Sequence, residues 1–191
     1  GSNGSTYADE LIINNCVNNG EIEGDTVAGI IGNSSGNLKL SDCENNGAIN
    51  GRYSAGGIAQ CIENKNSSEA EVSNCINNGN VFGGEEAAGI IDYAEGITVT
   101  NCINNGNISS NGYVGGIFSY TSSVKGTGLV NNGKISGLED IGGISAYDEG
   151  NSIFSKLYNT GVIDEENIGA QVSNLVKLGE SSTGEELEEE H

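Results

Sequence analysis

The chain has 191 residues with 27 Asp and Glu against 7 Lys and Arg, a formal net charge of -20 that disfavours nucleic acid and anionic membrane surfaces as partners. Only 35% of residues are hydrophobic, and 31 glycines occur without a single Pro, Met or Trp, which argues against collagen and Pro-rich linkers. No apolar run approaches the roughly 18 residues of a membrane span, so no membrane insertion is expected.

Gly1-Ser2-Asn3-Gly4-Ser5, with no initiator Met, reads as part of a linker over 1–6 and leaves a signal and an anchor to a longer chain. Residues 7–178 then carry one repeating pattern. Each unit opens on a stretch with β-like alternation, seen in Leu11-Ile12-Ile13, Leu38-Lys39-Leu40, Val72 and Ile97-Thr98-Val99. Cys16, Cys43, Cys75 and Cys102 follow, each two residues ahead of Asn-Asn-Gly, and Leu129 and Leu157 take the same register in the last two units. The closing glycines Gly20, Gly47, Gly79, Gly106, Gly133 and Gly161 are 27, 32, 27, 27 and 28 residues apart, the spacing of an array of stacked supersecondary units. Asn and Gly both enter the left-handed region, so Asn-Asn-Gly is expected to turn the chain. Stacked in register, its amides predict two ladders, through Asn18, Asn45, Asn77, Asn104, Asn131 and Asn159 and through Asn19, Asn46, Asn78, Asn105 and Asn132.

After each turn comes one apolar position, at Ile22, Ile49, Val81, Ile108, Ile135 and Ile163, followed by a variable polar segment. The unit ends on Ala28-Gly29-Ile30, Gly56-Gly57-Ile58, Ala88-Gly89-Ile90, Gly115-Gly116-Ile117 or Gly142-Gly143-Ile144, and decays to Ile168-Gly169-Ala170 in the last copy. Glycine costs roughly 1 kcal/mol in a helix interior, which sets the pattern against helical repeats. The prediction is an all-β parallel β-solenoid, a right-handed β-helix of about six rungs of about 27 residues, with Cys, Ile and Ile as three inward columns. The incomplete first rung and the decayed last rung need caps, for which Val172 to Leu178 or neighbouring domains are candidates. The tail, 179–191, is Gly/Ser-rich and then glutamate-rich, a composition that buries no core.

Asn-Asn-Gly-x-Ile-x-Gly combined with Gly-Gly-Ile resembles the GLUG-motif and related β-helical repeats of large bacterial surface proteins, including adhesins and immunoglobulin-A-directed proteases. The resemblance spans roughly Leu11 to Val172. Gly29-Ile30-Ile31-Gly32 keeps the Gly-apolar-apolar-Gly core, whereas Gln60, Asp92, Ser119 and Ala146 replace its last glycine in later units. It implies a non-enzymatic repeat module of a cell-surface or secreted protein, acting in adhesion or as a spacer, with a host or environmental glycan or protein as ligand.

Chemistry-bearing residues are few. The cysteine column accepts Leu, lacks Cys-x-x-Cys, and has only the terminal His191 for company, so it reads as buried free thiols and not as a zinc or disulfide framework. Cys61 stands apart, in register with Tyr93, Tyr120 and Tyr147. Those tyrosines form either a stripe for sugar rings or a partner's apolar face, with Phe118 nearby, or a packed ladder at a corner. Asp25, Glu85, Glu86, Glu139, Asp140, Glu165 and Glu166 gather at the variable turn. Along one solenoid edge they are either solvated charges or oxygen ligands for Ca²⁺; no other cofactor is expected. A carbohydrate-active β-helix, a polysaccharide lyase or hydrolase or its glycan-binding fragment, is the alternative to the non-enzymatic reading.

Overall fold

The structure, a computed structural model, describes residues 10–65, 70–164 and 171–172. The expected linker, the acidic tail, Glu165 and Glu166 lie outside them. The described residues form no helix, and every strand pairing is parallel. Successive units stack as a β-solenoid of about five turns with three sheets. Five closed turns replace the six expected, because the last unit contributes Ile153–Asn159 and the Ile135 to Ile163 bridge and closes no further turn among the described residues. Of the residues considered for a cap only Val172 is described; it lies in the strand Gln171–Val172, which pairs with Asp140 and Ile141.

The first sheet starts with Leu11–Asn14, Leu38–Ser41, Glu71–Ser73 and Thr98–Thr100, of which the last three alternate in and out as their apolar spacing requires. Its strands are interrupted before the cysteine, at the left-handed residues Asn15, Asp42, Asn74 and Asn101, whose φ lies between 52° and 54°. Gly128 and Lys156 occupy the same position ahead of Leu129 and Leu157, with φ of 66° and 53°. This is a correction to the sequence reading. The left-handed turn sits one residue before the cysteine, not in Asn-Asn-Gly.

The motif's glycine has another cause. A Cβ on Gly79 would run into the carbonyl oxygen of Gly47 in the preceding rung, so the residue is glycine to let two backbones approach. Gly89 of the Gly-Gly-Ile element is constrained likewise, since a Cβ there would meet Gly116 O and the side chain of Asn104. The two motifs of the repeat are therefore packed on each other.

Both expected ladders are present. Asn18 donates from Nδ2 to Oδ1 of Asn45, and the same 2.7 Å bond repeats through Asn77, Asn104 and Asn131 to Asn159. Each of these amides also donates to the glycine carbonyl two residues on, at 2.8–2.9 Å in the central rungs, so both amide hydrogens are used. The exposed ladder runs the other way. Asn46 donates to Asn19 at 3.0 Å, Asn78 to Asn46 at 2.9 Å, and Asn105 and Asn132 follow at 2.8 Å. The amide dipoles of the two columns thus oppose each other.

The predicted inward columns divide between two cores. Cys43, Cys75, Cys102, Leu129 and Leu157 share one with Ile58, Ile90, Ile117 and Ile144. Ile49, Val81, Ile108, Ile135 and Ile163 belong to a second, with Ala55, Ala87, Val114 and Ile141 from the other half of the same sheet. Burial fails only in the first rung, where Leu11 is 44% exposed although its partner Leu38 is fully buried.

Candidate functional site

The third sheet carries the tyrosine register. It is built from Ile31–Ser35, Ala59–Glu63, Ile91–Glu95, Phe118–Ser122 and Ser145–Asp148. In-register pairing puts Asn33, Cys61, Tyr93, Tyr120 and Tyr147 in one row on its outer side. Tyr93 and Tyr120 stack with centroids 4.6 Å apart and 6° between planes, and Tyr120 and Tyr147 lie 5.4 Å apart at 30°. Tyr113 leans on Tyr147 at 6.1 Å and 53°. Stacking that close covers the faces of Tyr120 on both sides, so the row offers ring edges and hydroxyls outward. Within the row only Tyr147, 43% exposed, presents substantial aromatic surface. Phe118 does not join the stripe; it is fully buried and packs against Phe154 at 6.2 Å.

The hydroxyls are tied to carboxylates. Tyr93 donates to Glu95 at 3.2 Å; burial, helped by that bond, pushes its phenol up to about 12. A hydrogen bond to Glu149, followed by burial, raises Tyr120 as well. Lys65 sits at the lower end, 3.3 Å from Glu63 and 3.7 Å from Glu95.

The acidic turn is only partly assembled. Glu85, Glu86 and Glu139 line a groove of about 300 Å³ with Gly84, Asn111, Gly112 and Tyr113. Asp140 lies within the strand Asp140–Gly142, and Asp25 lies beside Arg52 at 3.9 Å. Among the described residues no three His, Cys, Asp or Glu side chains converge as a metal site would require. Burial, then the nearby carboxylates of Asp92 and Glu85, push the Glu86 carboxyl up to about 7.

Asp92 was not singled out from the sequence. It is fully buried, and its carboxyl contacts Ser54 and Ser119 closely and accepts from Gln60 at 3.3 Å. Burial raises its pKa. Ser119 Oγ also lies 2.7 Å from the backbone carbonyl oxygen of Asp92. The available signal was the register Gly32, Gln60, Asp92, Ser119, Ala146, in which one charged residue replaces a glycine of the motif.

The cysteines are all free. Cys43, Cys75 and Cys102 are buried and donate to the carbonyl two residues earlier, at 3.1 Å in Cys43 and 3.4 Å in the others. Cys16 in the first rung is exposed. Burial pushes the Cys43 and Cys61 thiols up to about 11, and for Cys61 the carboxylates of Glu63 and Asp92 add to it. Such thiols stay protonated near neutral pH and are poor nucleophiles and metal ligands.

Among the described residues no helix is long and apolar enough to cross a membrane. No known protein family, curated protein or solved structure matches the chain. The geometry defines the class, a parallel β-solenoid with a buried asparagine ladder.

Proposed function

We propose that this chain is a non-enzymatic repeat module of a bacterial cell-surface or secreted protein, serving as a spacer or in adhesion. The observation that carries the reading is where the repeated residues go. Asn45, Asn77, Asn104 and Asn131, the cysteine column and the close-packed glycines all face neighbouring rungs, leaving the recurring part of the sequence to hold the stack. Recognition then falls to outward-facing residues that the Asn-Asn-Gly and Gly-Gly-Ile motifs do not fix. Tyr147, Tyr113 and the groove lined by Glu85, Glu86 and Glu139 form the surface offered to a host or environmental glycan or protein.

One observation favours a carbohydrate-active β-helix instead. Glu86, protonating near neutral pH in an open groove, has the character of a general acid. The second perturbed carboxyl, Asp92, is sealed from solvent and cannot reach a glycosidic bond, which weighs against a working pair. Incubation with acidic and neutral polysaccharides, read by reducing-end release, separates the two. The spacer or adhesion reading expects no release by either the unaltered chain or Glu86→Gln; turnover that Glu86→Gln abolishes overturns it.

A further inference from the structure

We propose that Asn111 is a site of spontaneous deamidation, placed so that its loss of ammonia adds a carboxylate to the acidic groove. The Asn-Gly steps of the rungs are held against the same chemistry.

Asn-Gly is the dipeptide in which the following backbone nitrogen reaches the side-chain amide with least steric hindrance, and Asn is thermolabile for this reason. Within the described residues it occurs at Asn19, Asn46, Asn50, Asn78, Asn105, Asn111 and Asn132. Reaction requires the amide to swing onto the next nitrogen. Asn46, Asn78, Asn105 and Asn132 are fixed from both sides, each donating to the preceding rung and accepting from the following one. Asn50 donates to Glu21 at 2.7 Å. Asn19 accepts from Asn46 but heads its ladder and donates to nothing among the described residues.

Asn111 differs from all of these. It is exposed at the bend between Ile108–Ser110 and Tyr113–Gly115, and its side chain makes no hydrogen bond among the described residues. Gly112 N donates to Ser110 Oγ at 3.1 Å, a single bond to a side-chain hydroxyl at an exposed bend that opens as the nitrogen turns to attack. The glycine is also required here, since a Cβ would collide with Glu85 O. The fold thus keeps the reactive dipeptide at a position where no hydrogen bond among the described residues holds the Asn111 side-chain amide.

Gly112 N attacks Cγ of Asn111; the N–Cγ bond forms as Cγ–Nδ2 breaks, and the amide departs as ammonia with the proton that Gly112 N gives up. Water then opens the cyclic imide at either carbonyl, giving aspartate or isoaspartate. Either product sets a new negative charge in the groove beside Glu85, Glu86 and Glu139.

The test is incubation of the folded chain in mildly alkaline buffer, with fragmentation mass spectrometry to assign each deamidated position, run in parallel in urea. Asn111 should be modified at least about tenfold faster than Asn46, Asn78, Asn105 and Asn132 when folded, and the rates should converge in urea. Asn111→Gln should remove the fast phase while leaving the strand spectrum unchanged. Ladder positions reacting as fast as Asn111 in the folded chain, or Asn111 staying intact there while urea exposes it to reaction, would overturn the proposal.

Discussion

Truncating one amide of the buried ladder should be far more damaging than truncating its exposed neighbour, although both make rung-to-rung bonds of nearly equal length. Asn104 donates to Gly106 O at 2.8 Å and to Asn131 Oδ1 at 2.7 Å, and accepts from Asn77 at 2.7 Å. Asn104→Ala removes all three bonds and leaves their partners without water in a fully buried column. A net value of about 1 kcal/mol per bond, with part of the desolvation penalty of the stranded groups, gives a cost of about 3–5 kcal/mol. Asn105→Ala removes two 2.8 Å bonds at an exposed site, where water replaces them, and should cost less than about 1 kcal/mol. Urea unfolding followed by far-ultraviolet circular dichroism measures both, provided the slope is unchanged. Equal losses for the two variants, or a loss below about 1 kcal/mol for Asn104→Ala, would refute the reasoning.

Other outcomes follow from the same contacts. Gly89→Ala forces a Cβ against Gly116 O and Asn104 and should lower stability by about 1–3 kcal/mol in the same assay, more than an alanine at the open Gly32. Cys102→Leu adds volume at a fully buried site where Val99 stands in register with the Gly126 that makes room for Leu129, and should lower stability by about 1–3 kcal/mol. Thiol titration of the folded chain should label Cys16 fastest, with Cys43, Cys75 and Cys102 reacting only on unfolding. Glu86 binds its proton more tightly folded than unfolded, because its folded value is raised to about 7 from the ordinary 4.5. The chain should therefore lose stability as pH rises through that interval, and Glu86→Gln should flatten the dependence and raise stability on its alkaline side.

The architecture was legible because the repeat aligns itself: a residue recurring at one register in successive units must stack on its counterparts, as Asn45, Asn77 and Asn104 do. What stayed hidden was which residue does which job. Asn-Gly is a strong turn signal, yet here Gly79 answers to a carbonyl one rung away, a contact that local spacing cannot show. The left-handed turn fell to Asn15, Asp42, Asn74 and Asn101, residue types that tolerate it and that stood unread beside the more conspicuous cysteine. The tyrosine register was found in the sequence, but how far the rings cover one another depends on ring tilt, which composition does not encode. Asp92 was missed because a lone acid in a variable position looks like a solvated charge until Ser54, Gln60 and Ser119 are seen to converge on it from neighbouring rungs.

Side-chain amide hydrogen exchange tests the central claim most directly. After transfer to deuterated water, the Nδ2 protons of Asn45, Asn77, Asn104 and Asn131 should persist in nitrogen-resolved spectra long after those of Asn46, Asn78, Asn105 and Asn132 have vanished, since only the first set lies in a buried ladder. Exchange of both sets at one rate would contradict the buried ladder and, with it, the assignment of the repeat to holding the stack.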